Sequence, residues 1–446
     1  MGAVEVTRRV VPIERASTAD LALLAMECGS AVPEHLGALI VLDTGPTFDV
    51  ESAKRVLAER IRAVPRLRQR LVRPPHGCGR PVWVDAPAFD ATRHVRLRRC
   101  PAPGDEQTLL DVAAAIISEP LPRSRPLWAA VLVPDLVDGR VGLVLVLHHV
   151  LADGTDGVAI LARLLDGAEP GPTRTFPQPC PTRRQLAAEA LLSRLRSLGR
   201  FRAGGRVLRT SAAVGGPVPR AVACSILQVT GTRRRFAVAR TDLVALHAAG
   251  RRNGGTVNDV LLTAVGGALH TLLEGRGEHV ETFRIAVMVA GEKEASADVP
   301  GNQAVPLIVD VPGTGTPMER LAGMSGAVRA ARASTAGRSP TAIPPTLLRF
   351  LAAAGLYRLY MRHQHRLHTL VSNVRGPGRP LTLGGAPVSA IVPLAIAEAG
   401  NLTVNVVALS YAGTFTVTLA VDPGQVPDLP VLAAALQAEL DALAAA

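Results

Sequence analysis

Lysine is nearly absent from this chain: all but two of its 49 basic residues are arginine, the exceptions being Lys54 and Lys293. Aromatic residues make up only 3%. With so few rings, and with no zinc-finger spacing or basic helix interleaved with aromatics, nucleic acid is the least fitting partner. The five cysteines, Cys28, Cys78, Cys100, Cys180 and Cys224, are odd in number and contain no CxxC pair. They read as reduced thiols of a cytoplasmic protein rather than as a disulfide framework or a metal site. No apolar run approaches the roughly 18 residues that a spanning helix needs, and the first residues, MGAVEVTRRVVPIERAS, lack an export signal's apolar stretch. Any membrane contact is therefore expected to be peripheral. There is no G-x-S-x-G elbow and no Walker lysine motif, and Gly313-Thr314-Gly315 lacks the third glycine of a dinucleotide fingerprint. These absences exclude hydrolysis through a serine elbow, nucleotide hydrolysis and dinucleotide redox chemistry.

What is present is apolar and long. The chain has 446 residues, of which 48% are hydrophobic and 19% charged. That composition supplies ample core, and the length exceeds what one core fills, so two domains are expected. The net charge of +12 and a pI near 10.7 favour an anionic surface or a polyphosphorylated small molecule.

The chain is organised around Val141 to Leu165, VGLVLVLHHVLADGTDGVAILARLL. Val141 to Leu147 is an unbroken apolar run, as expected of a strand buried on both faces. It ends in His148 and His149. Asp153 and Gly154 follow, then a Thr155-Asp156-Gly157 turn and apolar positions at helical spacing, Val158, Leu161, Leu164 and Leu165. A strand end can hold an imidazole rigidly in a cleft, which suits one histidine to act as a base.

HHVLADG, residues 148 to 154, resembles the HHxxxDG signature of the CoA-dependent acyltransferase superfamily. PLPRSRPLW (120 to 128), TVNDVLLTAVGGAL (256 to 269) and SNVRGPGRPLTLGGAPV (372 to 388) are similar, in the same order, to segments of the bacterial wax ester synthase/acyl-CoA:diacylglycerol acyltransferase family. The resemblance implies an α/β fold of two chloramphenicol acetyltransferase-like sandwich domains with an active-site tunnel between them. The first, residues 1–170, would carry HHxxxDG; 171–222 would be the crossover; 223–446 would form the second. It further implies transfer of a long-chain acyl group from acyl-CoA, as co-substrate, to diacylglycerol or a fatty alcohol. His149 would be the catalytic base and His148 would shape the site. Asp153 would brace the loop against an arginine, and Gly154 would permit a tight turn. Trp128, Asn258 and Asp259 would support the cleft, and Ser372 or Asn373 would donate to the oxyanion. No bound cofactor or metal is implied, and the location would be cytoplasmic, on the inner membrane face or on lipid droplets. Two other functions stay open: a related transferase acting on a polyketide, peptide or other hydroxyl or amine, and a non-catalytic lipid-surface protein on this fold. Two positions depart from the family pattern, Ala129 where an acidic residue is common and Val289-Ala290-Gly291-Glu292-Lys293 in place of a Pro-Val-Ser-x-Arg-like stretch.

Elsewhere the pattern predicts helices at Ser17 to Met26, Glu51 to Val64, Thr108 to Ser118, Thr241 to Ala249 (capped by Thr241), from Thr256, at Thr346 to Met361 and at Leu429 to Leu443. Strands are predicted at Leu36 to Leu42, Pro81 to Val84, His94 to Leu97, Leu127 to Val133, Arg233 to Val238, Phe283 to Val289, Ala304 to Val311, Leu402 to Leu409 and Phe415 to Val421. Arg66 to Leu71 reads as a basic edge strand, either solvated or in contact with phosphate. The Arg-studded stretch near Arg183 to Leu198 reads as a helix, either a solvated linker or one lying on an anionic bilayer. His363, His365 and His368 cannot share one helical face, which argues against a metal site there.

Overall fold

The fold was determined as a computed structural model, which describes residues 13–27, 30, 32–45, 48–166, 176–195, 220–290, 304–335, 356–396 and 400–446. Two six-stranded sheets carry the architecture. In the first, the order is β11 (Thr382–Leu383), β12 (Ala386–Ile396), β1 (His35–Leu42), β6 (Val141–His148), β5 (Trp128–Val133) and β4 (Val95–Leu97). In the second it is β7 (Arg235–Asp242), β14 (Thr414–Val421), β13 (Val404–Tyr411), β10 (Thr369–Arg375), β8 (Thr282–Ala290) and β9 (Ala304–Pro312). A separate ribbon pairs β2 (Gln69–Val72) with β3 (Val82–Asp85).

The apolar run of β6 is buried at every position, as a central strand covered on both faces requires. Antiparallel β1 flanks it, with His35 opposite His148, and β5 lies on its other side, with Trp128 opposite Leu147. On one face lie helices α2 (Val50–Ala63) and α4 (Gly154–Leu164), whose Leu57, Ile61, Leu161 and Leu164 enter the core. On the other face lies α3 (Glu106–Ser118), capped by Asp105 and burying Leu109, Leu110, Ala113, Ile116 and Ile117 at helical spacing. The core beneath α3 also takes in Phe236 and Ala420 from the second sheet, so the two halves share apolar packing. The second sheet is covered by helices Leu243–Arg252, Val257–Gly275, Pro317–Thr335 and Leu429–Ala445.

Most expected elements appear with shifted ends. The Arg66 to Leu71 segment is not one strand: Pro65 starts a 3-10 turn over Pro65–Arg68 before β2 begins. Thr241 is still in β7, and the following helix is capped by Asp242, whose side chain accepts from the Ala245 N–H at 2.7 Å. The helix Pro317–Thr335 and strands β11 and β12 were not expected from the pattern. β12 leaves the C-terminal half and pairs along all of β1, Leu39 opposite Val392. Gly301, Asn302, the stretch from Gly291 to Lys293 and most of the expected helix from Thr346 lie outside the described residues.

Candidate active site

β6 ends on His148, with His149 just beyond the strand, and the backbone clamps both. The His148 N–H donates to Leu127 O (2.9 Å), the His149 N–H to Glu34 O (2.8 Å), and the Leu151 N–H closes the turn on His148 O (2.8 Å). His148 is only 2% exposed, whereas His149 is half-buried.

The two imidazoles are not equivalent. His148 Nδ1 accepts the Val150 N–H at 3.1 Å, so its lone pair is occupied and the proton sits on Nε2. Nε2 lies 3.1 Å from Glu27 Oε2 and donates to it. With both nitrogens engaged, His148 has no lone pair to accept a proton from a substrate. Glu27 also pairs with Arg123. Burial pushes the Glu27 carboxyl up, but the hydrogen bond from His148 and the charge of Arg123 outweigh it and hold its pKa below the usual carboxylate value. His35 meets His148 edge-on, with ring centroids 5.8 Å apart. Its Nδ1 lies 2.8 Å from Ile117 O, which can only accept, so Nδ1 carries the proton. Burial pulls the His35 pKa down to about 4, leaving it neutral near pH 7. Glu27 and His35 are neighbours of His148 that sequence reasoning missed. Glu27 sits 121 positions from His148, and no spacing rule links them.

The expected arginine brace for Asp153 is not seen among the described residues. Asp153 is the N-cap of α4, accepting from the Thr155 N–H (2.9 Å), the Thr155 hydroxyl (2.7 Å) and the Asp156 N–H (2.9 Å), and it makes no ion pair among the described residues. The expected Thr155-Asp156-Gly157 turn is therefore already helix. Gly154 serves close packing rather than a tight turn: a Cβ there would lie 2.7 Å from Val374 Cγ2. That contact brings β10, with Ser372 and Asn373 just before Val374, against the histidine loop. Both side chains are half-buried, and neither is hydrogen-bonded among the described residues.

Trp128 is packed inside, stacked on His94 with centroids 4.4 Å apart, its indole N–H donating to Leu67 O at 2.7 Å. Asn258 and Asp259 open the helix Val257–Gly275 in the second half. Asp259 Oδ2 accepts from the Thr256 N–H (2.7 Å) and hydroxyl (2.9 Å) in a reciprocal capping box, while its Oδ1 is buried without a hydrogen-bond partner. None of these hydrogen bonds reaches the histidine loop. His368 uses both ring nitrogens, accepting from the Arg284 N–H at 2.9 Å and donating to Val222 O at 2.9 Å. Among the described residues no three His, Cys, Asp or Glu side chains gather as metal ligands. Burial pushes the Cys100 thiol up and the Cys224 thiol up to about 11, which suits neither to nucleophilic attack. No single described helix is long and apolar enough to cross a membrane.

Residues 17–261 match the model of the wax ester synthase/diacylglycerol acyltransferase catalytic domain, and residues 301–444 that of the family's C-terminal domain. A putative diacylglycerol O-acyltransferase of Mycobacterium tuberculosis is 30% identical over 417 residues, covering 88% of this chain and 87% of its own. Among solved structures, the wax ester synthase/diacylglycerol acyltransferase of Marinobacter aquaeolei VT8 superposes with a TM-score of 0.69 at 22% identity, covering 96% of this chain and 98% of its own. The starter condensation domain of rhizomide synthetase, captured with C8-CoA, superposes with a TM-score of 0.59 at 14% identity, covering 97% and 95%. Both likenesses bear out the expected two-domain α/β fold.

Proposed function

The chain belongs to the wax ester synthase/diacylglycerol acyltransferase family, whose members are acyl-CoA-dependent O-acyltransferases, and from that premise we propose that it esterifies diacylglycerol or a fatty alcohol with a long-chain acyl group. The single observation that carries the mechanism is the inequality of the two histidines. His148 has committed both nitrogens, to Val150 and Glu27, which leaves His149 as the base.

A hydroxyl with a pKa near that of water, about 15.7, faces a histidine of about 6.5. Full deprotonation before attack would cost roughly 13 kcal/mol. His149 therefore removes the proton as the oxygen attacks the thioester carbonyl. The tetrahedral oxyanion needs donors, and the side chains of Ser372 and Asn373 are suited to the task by their uncommitted hydrogen-bonding groups and by the packing of Val374 on Gly154. On collapse the CoA thiolate leaves and takes the proton back from His149. No acyl-enzyme is needed.

The hydrophobic substrates also call for access to a lipid surface. Support comes from the helical stretch 183–195, where Leu191, Leu192 and Leu195 are 57%, 52% and 55% exposed beside the exposed Arg183 and Arg184. Exposed leucines flanked by arginines suit peripheral contact with an anionic membrane or droplet surface on the cytoplasmic side.

The test is acceptor-dependent release of CoA thiol from palmitoyl-CoA, with diacylglycerol and hexadecanol offered separately. Release with one acceptor that vanishes in His149→Ala supports the proposal and selects the product. No acceptor-dependent release from folded protein contradicts it and points to a carrier-bound or other acceptor.

A further inference from the structure

Two arginines near the histidine end of the first sheet are partly removed from water and make no ion pair among the described residues. In the β2–β3 ribbon, Arg70 stands opposite Val84, and the Ala86 N–H extends the ladder by donating to Arg68 O at 2.9 Å. Arg68 closes the 3-10 turn that leads into β2, two residues before Arg70. The Nε of each is buried with no hydrogen-bond partner, and neither guanidinium makes an ion pair among the described residues. Their neighbours are paired: Arg66 with Glu14, Arg15 with Glu189 and Arg60 with Asp166. Arg68 instead lies over the Phe176 ring, 4.4 Å from its centroid. Burial lowers its pKa, opposed by the charge of Asp85, whose own carboxylate accepts the Gln178 N–H at 2.9 Å. A guanidinium with a buried, unbonded Nε and no ion pair retains hydrogen-bonding capacity for an anion, and its planar fork fits phosphate oxygens in pairs.

The position matters as much as the charge. Leu67, next to Arg68, accepts the Trp128 indole N–H, and Trp128 pairs with Leu147, the residue before His148. Phe89 continues the connection, its ring 6.5 Å from Trp128 and 6.4 Å from Phe176.

We propose that Arg68 and Arg70 form the subsite that takes the phosphate groups of the acyl donor's CoA, with the pantetheine arm spanning the distance to His149. This rests on the acyl-CoA reading above, so the experiment separates the two. Binding of adenosine 3′,5′-bisphosphate, the phosphorylated nucleotide of CoA, is measured by calorimetry on the full chain. Wild type, the Arg68→Gln/Arg70→Gln double variant and the exposed-site control Arg73→Gln are compared. Turnover is measured in parallel with palmitoyl-CoA and with palmitoyl-pantetheine, which lacks the phosphates.

The double variant is expected to weaken nucleotide binding and raise KM for palmitoyl-CoA by about tenfold or more, while KM for palmitoyl-pantetheine changes less than about twofold. Unchanged nucleotide binding, or equal loss with both thioesters, overturns the subsite. Arginine-dependent nucleotide binding without transfer to any acceptor supports the subsite while refuting the proposed reaction. Transfer by a wild type that does not bind the nucleotide overturns the subsite alone. Should the double variant fail to fold, Arg68→Lys/Arg70→Lys keeps the charge but loses the fork, and a loss of about threefold is expected in the same two readouts.

Discussion

The two sheets are built alike and finished differently. In the second, Thr256 and Asp259 cap one another at a helix start, and Arg320 pairs with Glu439 beneath the helices. At one end of the first sheet, Glu27, His35, His148 and His149 crowd around the last residues of β6, and Arg68 and Arg70 stand unpaired nearby. The lesson is that a fold of two similar halves can gather its histidines in one half while strands of the other pack against them. β10 presses Val374 onto Gly154 from the second half, and β12 pairs along the whole of β1.

Substitutions should separate the two halves by what they damage. The largest expected effect is on activity: His149→Ala lowers kcat by about 10² to 10⁴, with thermal melting little changed because the side chain is half-buried at a loop. Next is acid sensitivity in the first half. His35 is held near a pKa of about 4 against 6.5 unfolded, so its contribution is fully present above pH 6.5 and is lost as pH falls toward 4. A folded pKa below the unfolded one means the unfolded chain takes up the proton first, and the loss amounts to about 3 kcal/mol. Burial depresses the His94 and His368 pKa values in the same direction. Melting temperature measured from pH 7.5 down to 4.5 should fall through this window, and His35→Gln should flatten part of the fall.

A smaller effect tests the packing between the halves. Gly154→Ala sets a Cβ against Val374 and costs roughly 1 to 3 kcal/mol. Val374→Ala on the same background recovers part of that loss, and a double-mutant cycle with no coupling would show that the halves do not press together there. The smallest is in the second half, where Thr256→Ala removes a cap at a cost of about 1 kcal/mol, read in denaturant titration with no change in KM.

The histidine strand and its neighbours were legible in the sequence because their signals are local. Seven apolar residues before His148 specify a buried strand, and Thr256 three residues before Asp259 specifies a helix start. Asp153 was placed in the right loop but given the wrong partner, since the capping of α4 begins one turn earlier than its apolar pattern. What stayed hidden is tertiary. Nothing local says that β12 crosses to β1, that Glu27 reaches His148, or that Gly154 is small because of Val374 rather than because of its backbone angle. The helix Pro317–Thr335 was missed for another reason: its apolar residues make only a weak stripe.

The central claim is that His149, and not His148, is the base. It is tested most directly by comparing acceptor-dependent CoA release by His149→Ala and His148→Asn, both shown to be folded. Asparagine can still accept the Val150 N–H at its Oδ1 and leaves His149 in place, so His148→Asn should retain activity within about tenfold, while His149→Ala loses about a hundredfold or more. Loss in folded His148→Asn as deep as in His149→Ala would contradict the account.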